Sequence, residues 1–240
     1  MPSERSVRGV RVAVIDSGIH PAHPHVQGVA GGVAFQQDGE SEDYVDRIGH
    51  GTAVAAAIRE KAPDAELIAV KVFDQTLSSS VDTLVRAIHW AVEHECRVIN
   101  LSLGTARMQH EAVLRAAVDE TIAHGVILMA AREDAGQRWL PGCLPGVVGV
   151  RVDWDCPRDR FRVEHLNNGD LVCHTSGYPR EIPGVPPSRN LMGISFAVAN
   201  ATGFVAHALN RAPHARRSDL ASILLASIAL WKAPESLCAS

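Results

Sequence analysis

Three polar side chains, far apart along this sequence, have the types needed for nucleophilic catalysis. Asp16 follows the apolar run 12–15, His50 opens an alanine-rich segment, and Ser195 lies two residues after a glycine. A serine hydroxyl becomes a nucleophile when an imidazole takes its proton, and a carboxylate orients that imidazole. The order is carboxylate, imidazole, hydroxyl, with intervals of 34 residues (50 minus 16) and 145 residues (195 minus 50). These residues therefore indicate hydrolysis by an activated serine.

The segments around these residues alternate between apolar strands and helices. The predicted strands are 12–15, 67–73, 97–102, 126–131 and 147–152, and the predicted helices are 51–61, 81–94, 111–124 and 193–209. Apolar strands that alternate with helices of about 10 to 15 residues are typical of a parallel sheet covered on both faces. We therefore predict an α/β fold with three α/β/α layers and a mostly parallel sheet.

In such a sheet, sites form beyond the carboxyl ends of the strands. Asp16, the segment 100–104, a turn at 132–134 and the turn before Gly193 are expected there. Residues 153–192 fit no helix and are expected to form hairpins or loops over the sheet. No linker divides the chain, so we predict one domain over residues 1–240, with a C-terminal helix at about 218–232.

The composition excludes several classes of protein. The chain has 240 residues, 46% hydrophobic and 21% charged, which is ordinary for a globular protein with a buried core. A net charge of -4 argues against a nucleic-acid partner. The five cysteines have no CxxC pair, which favours free thiols and a cytoplasmic location. We also expect no signal peptide and no membrane partner, because no apolar segment is long enough or suitably placed.

Three segments, 14–18, 49–55 and 193–197, resemble the subtilisin-like serine proteases (subtilases), in that family's order of Asp, His and Ser. The likeness extends to 62–72, 98–104 and 140–150, and so covers about 11–209. The resemblance implies a subtilisin-like fold and a serine endopeptidase that needs no cofactor. It makes Ser195 the nucleophile, His50 the general base and Asp16 the group that orients the imidazole.

The resemblance also implies where a peptide substrate binds. Ser102, Leu103 and Gly104 would pair with the substrate as an extended strand and wall the pocket for P1, the residue that supplies the scissile carbonyl. Val81, at the end of a second strand 79–81, would lie on the other side of the peptide and leave the P4 pocket open. Trp139 is expected near the floor of the P1 pocket, where it would exclude bulky side chains.

The oxyanion-hole position departs from the family pattern. The alignment places Arg132 on the family's glycine and Glu133 on its asparagine, whose amide donates a hydrogen bond to the oxyanion. A shift of one residue would place Asp134 there instead. An ionised Glu133 would repel the oxyanion, whereas a protonated one could donate a hydrogen bond. We expect a slow protease, or one in which Glu133 is protonated when substrate is bound. Two alternatives are a peptide-binding pseudoprotease and an acyl-transfer enzyme.

Other departures concern packing and processing. Ile194 replaces a threonine and Ala199–Asn200 replaces Pro-His, which is expected to alter packing without removing a catalytic group. The short segment before the first strand leaves no room for the propeptide that the resemblance implies, so we expect that the protein either folds without one or has had it removed. The small size and the expected absence of a signal peptide favour a narrow task, such as removal of a leader from a peptide precursor.

Two clusters of possible metal ligands are interpreted as structural. The histidines of 20–25 resemble a His-Pro run that subtilases carry after the Asp-Ser-Gly turn. The acidic segment 38–46 lacks the spacing of an EF-hand, so a solvated loop is favoured over a calcium site. The sequence predicts no metal ion.

Overall fold

Ten strands and five helices form within residues 9–36, 39–73, 77–186 and 189–230, which the computed structural model describes. The strands are β1 (Arg11–Asp16), β2 (Gly31–Gln36), β3 (Gly39–Ser41), β4 (Glu66–Lys71), β5 (Val98–Leu101), β6 (Ile127–Asp134), β7 (Gln137–Arg138), β8 (Val148–Val152), β9 (Phe161–His165) and β10 (Leu171–Thr175). The helices are α1 (His50–Lys61), α2 (Val81–Glu93), α3 (Glu111–Ala123), α4 (Ile194–Arg211) and α5 (Leu220–Leu230).

All ten strands belong to one sheet in the order β3-β2-β4-β1-β5-β6-β8-β10-β9, and β7 pairs with β6. The pairs from β2 to β10 along this order are parallel. The outer strands β3 and β9 and the short β7 pair antiparallel with their neighbours. In β1, Val14 lies opposite Ala69 on one side and Asn100 on the other, so β1 occupies the middle of the sheet.

The two faces of the sheet are covered by different helices, which follows from the alternation of side chains along each strand. Val12 and Val14 of β1 pack in a core with residues of α1, α4 and α5. Ala13 and Ile15 point the other way and pack with residues of α2 and α3. The predicted three-layer α/β/α fold with a mostly parallel sheet is therefore confirmed.

Residues 153–192 differ from the prediction in part. They contain β9 and β10, which form a hairpin at the edge of the sheet and extend it, because β10 pairs in parallel with β8. The polar residues that alternate along β9 are typical of an edge strand with one face in solvent.

The C-terminal helix begins at Leu220 as expected, and its predicted end at 232 lies outside the described residues. Across the described ranges, no helix has the length and apolar character needed to span a bilayer.

Candidate active site

Asp16 and His50 form a hydrogen-bonded pair at the carboxyl end of β1. Oδ1 of the buried Asp16 lies 2.8 Å from His50 Nδ1 and accepts the Ser17 N–H at 2.7 Å. With Nδ1 engaged, His50 Nε2 is left to accept a proton. Only glycine fits at position 51, because a Cβ there would lie 2.2 Å from the carbonyl oxygen of Gly18 and 3.2 Å from Asp16 Oδ1.

The environment of His50 favours its protonated form. Burial opposes protonation, but the hydrogen bond and charge of Asp16, with the charge of Asp46, outweigh it and raise the pKa of His50 above 6.5. The imidazole packs against the Phe196 ring, with centroids 5.5 Å apart, and its side chain stays 16% exposed. It is therefore both positioned and reachable from solvent.

Asp46 holds the first turn of α1 in place. Its Oδ1 accepts the N–H groups of Ile48 and Gly49, both at 2.9 Å, and its Oδ2 accepts the N–H and hydroxyl of Thr52 at 2.8 and 2.6 Å. The Ser17 hydroxyl also donates to Oδ1 at 2.9 Å. Burial disfavours the charged form, but these hydrogen bonds together lower the pKa of Asp46 below 3.8.

The expectation that residues 38–46 form a solvated loop is therefore wrong for Asp46, which is buried because it caps the helix that begins at His50. Gly49 is the N-cap of α1, so Asp46 lies three residues before the cap and the N-cap preference for Asp gave no signal there. Asp43, in the same segment, does lie at the surface and pairs with Arg47 at 2.8 Å.

Ser195 is the second residue of α4, directly beyond the Gly193 cap. Its hydroxyl donates to the carbonyl oxygen of Ser102 at 3.1 Å. Within the described ranges it makes no hydrogen bond to His50. The structure thus joins Asp16 to His50 and joins Ser195 to Ser102, the first residue of the predicted substrate-binding segment. A hydrogen bond between a nucleophile and its general base is often unformed until substrate binds.

A buried chain of hydrogen bonds supports Ser102, and sequence reasoning missed it. Thr202 of α4 donates to Asn100 Oδ1 at 2.9 Å, and Asn100 Nδ2 donates to the Ser102 hydroxyl at 2.7 Å. Two residues before Thr202 in α4, Asn200 Nδ2 donates to the carbonyl oxygens of Ser176 and Tyr178 at 2.8 and 3.0 Å. The signal for each of these residues was a polar side chain inside an apolar run.

The predicted turn at 132–134 is instead part of a strand. β6 continues to Asp134 and reverses through Ala135 and Gly136, whose φ angles of 48° and 78° are typical of a tight hairpin. Glu133 lies opposite Arg138 in this hairpin. The two residues with positive φ place the reversal after Asp134 and allow the hydrogen-bonded ladder to continue through Glu133.

Glu133 is held by a basic side chain. Arg151 Nη2 donates to Glu133 Oε2 at 3.0 Å, while Arg151 Nη1 lies 3.6 Å from Glu164 Oε2. Glu164 also lies 2.7 Å from His174 Nε2. Glu133 Oε2 is therefore already engaged as the acceptor of a hydrogen bond from Arg151.

Trp139 lies beside the predicted substrate strand. Its backbone N–H donates to the Arg132 carbonyl at 3.0 Å, and Leu140 and Thr105 exchange two backbone hydrogen bonds of 2.9 Å. A Cβ built on Gly104 would lie 3.7 Å from Trp139 Cβ and 2.6 Å from the Leu140 carbonyl oxygen. A glycine at 104 therefore permits the close approach of these two segments.

The predicted strand at 79–81 is wrong. Ser80 caps α2, accepting the Thr83 N–H on its hydroxyl at 3.0 Å, so that Val81 is the first helical residue. Val81 nevertheless lines a groove of about 570 Å³ together with Leu103 and Gly104. The Ser80 cap was the sequence signal that this segment ends in a helix.

The histidines and acidic residues considered as metal ligands do not form a metal-binding cluster within the described part of the chain. Among the described residues, no three His, Cys, Asp or Glu side chains are grouped closely enough to bind a metal ion. His20, His23 and His25 instead line a cavity of about 650 Å³ beside the first turn of α1. The described cysteines are free thiols: Cys96, Cys143, Cys156 and Cys173.

Comparison with known proteins identifies the family. Residues 7–137 match the sequence model of the Subtilase family, Peptidase_S8. An intracellular serine protease from Paenibacillus polymyxa is 30% identical over 83% of this chain and 66% of its own length. Subtilisin NAT from Bacillus subtilis subsp. natto is 38% identical over 92% of this chain and 57% of its own length. The chain belongs to the subtilase family, and it spans between about half and two thirds of these two relatives.

Comparison with solved structures agrees with this assignment. The prenylagaramide maturation protease PagA is 26% identical and superposes with a TM-score of 0.64, over 85% of this chain and 78% of its own. The fold of the described residues is therefore that of subtilisin-like proteins, as the resemblance implied.

Proposed function

We propose that the protein is a serine endopeptidase in which Ser195, His50 and Asp16 form the catalytic triad. The observation that carries this proposal is the 2.8 Å contact between Asp16 and His50, next to a serine at the start of α4 in a chain of the subtilase family. The same three residues stand in the family's order along the chain.

The reaction follows from this geometry. Ser195 Oγ leaves the Ser102 carbonyl, transfers its proton to His50 Nε2 and attacks the peptide carbonyl carbon. Asp16 stabilises the resulting imidazolium through Nδ1. His50 then protonates the leaving amine, and an acyl-enzyme remains. Water attacks the acyl carbon with His50 again as base, which releases the acid product and restores Ser195.

Stabilisation of the oxyanion is the weak step. The Ser195 N–H lies in the first turn of α4, where N–H groups have no partner within the helix and the helix dipole is positive. Glu133 has no amide group to donate a hydrogen bond in place of the family's asparagine, and its Oε2 accepts from Arg151 Nη2. Loss of one such donor costs about 10²–10³ in kcat in a subtilisin. We therefore propose a slow enzyme.

The substrate we propose is a peptide that binds as an extended strand along Ser102, Leu103 and Gly104, with side chains toward the groove that Val81 lines. A role in maturing a peptide precursor is supported by the similarity to PagA, a prenylagaramide maturation protease. The single catalytic domain and the cytoplasmic location remain predictions, the latter consistent with the free thiols of the described cysteines.

A second candidate is a peptide-binding pseudoprotease. Two observations favour it: the ion pair of Arg151 with Glu133, the residue that the resemblance places at the oxyanion position, and the hydrogen bond from the Ser195 hydroxyl to the Ser102 carbonyl. A protein of this kind would bind an extended peptide in the same cleft and leave it intact.

Labelling with a fluorophosphonate, read by intact mass, separates the two candidates, because the reagent adds only to an activated serine. We expect one adduct at Ser195 and none in the Ser195→Ala variant. Peptide products with one added water would then show hydrolysis, whereas ligated products would show acyl transfer. A folded protein that binds peptide but takes no label would favour the pseudoprotease.

A further inference from the structure

A row of charged and polar side chains crosses four neighbouring strands, β6, β8, β10 and β9. Arg151 of β8 lies between two carboxylates: its Nη2 donates to Glu133 Oε2 at 3.0 Å, and its Nη1 lies 3.6 Å from Glu164 Oε2. The same oxygen of Glu164 lies 2.7 Å from Nε2 of the buried His174. Arg151 thus ties Glu133, the residue that the resemblance places at the oxyanion, to the hairpin at the edge of the sheet.

An irregularity in the sheet brings Glu133 opposite Arg151. Ala131 of β6 pairs with Val150 of β8. The next pair is Glu133 with Arg151, so that Arg132 is an extra residue in β6, a β-bulge. In a regular ladder Arg132 would lie opposite Arg151, and two like charges would be neighbours. Bulges are over-represented beside active sites, where they re-aim a side chain. This bulge replaces a pair of like charges with the ion pair between Glu133 and Arg151.

Arg151 points to the face of the sheet opposite to α4, the helix that carries Ser195. Val150 and Val152, its neighbours in β8, pack in or against the core that contains residues of α4. β8 pairs with β10 in a regular register over 149–152, so its successive side chains point to opposite faces. A Glu133 carboxylate that is bonded to Arg151 is therefore drawn away from the face on which α4 packs.

Glu164 holds the arginine from the other side. The hydrogen bond with His174, together with nearby positive charges, lowers the pKa of Glu164 below 4.5. Glu164 is therefore ionised at neutral pH and attracts the guanidinium of Arg151. As a result, Arg151 is held by contacts to strands on both sides of β8.

The stability of the fold does not account for this arrangement. The side chains of Glu133, Arg151 and Glu164 are 37%, 34% and 35% exposed, and ion pairs between partly exposed groups contribute little. Nε of Arg151 is buried and has no hydrogen-bond partner among the described residues, which opposes folding. The row therefore provides a placement of the Glu133 carboxylate rather than added stability.

We propose that Arg151 is a positioning residue that keeps the Glu133 carboxylate away from the oxyanion formed during peptide cleavage. This inference rests on the proposed protease function and adds a residue to it. A carboxylate beside the developing oxyanion would raise the energy of the transition state, because like charges repel strongly where water is excluded. The contact with Arg151 turns the carboxylate toward the opposite face and places a positive charge beside it. The enzyme then lacks one hydrogen-bond donor but avoids the repulsion.

Steady-state kinetics on one peptide tests this role in wild type, Arg151→Met, Glu133→Gln and the variant with both substitutions. Arg151→Met frees the carboxylate, and kcat is expected to fall about tenfold or more with KM nearly unchanged. In the Glu133→Gln background, the same substitution is expected to change kcat by less than about twofold, because no charged carboxylate remains to be placed. Arg151→Lys keeps the positive charge and should retain most of kcat.

The matched control is Arg162→Met, at an exposed arginine of β9 that pairs with His174 in register. This substitution removes a positive charge near Glu164 and leaves the contact between Glu133 and Arg151 in place. It should therefore keep kcat within about twofold of wild type. If Arg151→Met is unfolded by circular dichroism, Arg151→Gln takes its place in the same set of variants.

An unchanged kcat in a folded Arg151→Met protein would overturn the inference while the protease activity stands. An equal fall in kcat with Glu133 and with Gln at that position would also overturn it, since Arg151 would then act on the fold or on the oxyanion itself. A folded wild-type protein that cleaves no peptide and takes no fluorophosphonate label would instead contradict the proposed function, and the role of Arg151 would fall with it.

Discussion

The two sides of the catalytic cleft are completed in different ways. On the α1 side, formed by Asp16, Asp46 and His50, the N–H of Thr52 in the first helical turn is bonded to Asp46, and the imidazole is already hydrogen-bonded to Asp16, whose Oδ2 has no partner among the described residues. On the β6 side, formed by Arg132, Glu133, Trp139 and Arg151, three side chains carry buried nitrogen donors without acceptors among the described residues.

The two sides therefore govern different parts of the proposed reaction. The α1 side is preorganised, because Asp16 and His50, the groups proposed to transfer the proton, are already hydrogen-bonded to each other. The β6 side carries Glu133 where the resemblance places the family's neutral amide donor. We therefore expect changes on the α1 side to alter proton transfer and changes on the β6 side to alter stabilisation of the oxyanion.

The largest effect is expected from Asp16→Asn. The amide favours the wrong imidazole tautomer, and the corresponding change in a related triad costs about 10⁴ in kcat. Asp16 is also the main group that raises the pKa of His50, so the acid limb of the kcat/KM profile should move to lower pH in the variant. Asp43→Asn, at a surface carboxylate, is the control and should change neither. An unaltered rate in Asp16→Asn would exclude the triad.

Asp46→Ala should lower the free energy of unfolding by about 2–4 kcal/mol, because buried N–H groups and the Ser17 hydroxyl lose their acceptor. Since the folded pKa of Asp46 lies below 3.8, its stabilising effect is complete above that pH and is lost as pH falls through the lower folded value. Urea denaturation at neutral and acidic pH should thus show a difference from wild type that shrinks in acid. A constant difference would contradict the role of the ionised cap.

Glu133→Asn restores the family's donor and is expected to raise kcat by about tenfold or more at neutral pH, within the range that one oxyanion donor supplies. Steady-state kinetics on one peptide provides the measurement. Asp134→Asn is the matched control and should leave kcat unchanged. If Asp134→Asn gave the increase instead, the oxyanion position would be shifted by one residue, and a fall in Glu133→Asn would contradict the account of a repelling carboxylate.

The smallest effect concerns the hydrogen-bonded chain between the two sides. Thr202→Val leaves Asn100 Oδ1 without its donor and should lower kcat by less than about tenfold, with KM nearly unchanged, because Ser102 is less firmly held. Thr121→Val removes a buried hydroxyl that bonds the Val118 carbonyl on α3, far from the cleft. The Thr121→Val substitution should lower the free energy of unfolding by an amount similar to that of Thr202→Val, without a change in kcat. Equal kinetic effects in both variants would reduce Thr202 to a structural role.

The sequence predicted the pairing of Asp16 with His50 well, and the surroundings of Asp46 and Glu133 poorly, for physical reasons. Asp16 and His50 follow from local patterns, an apolar strand that ends in a carboxylate and a glycine-flanked histidine that opens a helix. The ion pair of Glu133 with Arg151 joins strands that are distant in sequence, and no local pattern reports it. The extension of β6 depends on left-handed residues at Ala135 and Gly136, and an alanine gives no signal for that conformation.

The central claim, an activated Ser195 in a triad, is tested most directly by the rate of fluorophosphonate labelling from about pH 5 to about pH 9. We predict a single adduct on Ser195, absent in Ser195→Ala, with a rate that rises with pH through a midpoint above 6.5, the ordinary pKa that His50 exceeds. Two results would contradict the account: a folded wild-type protein that takes no label at any of these pH values, or a Ser195→Ala variant that is still labelled.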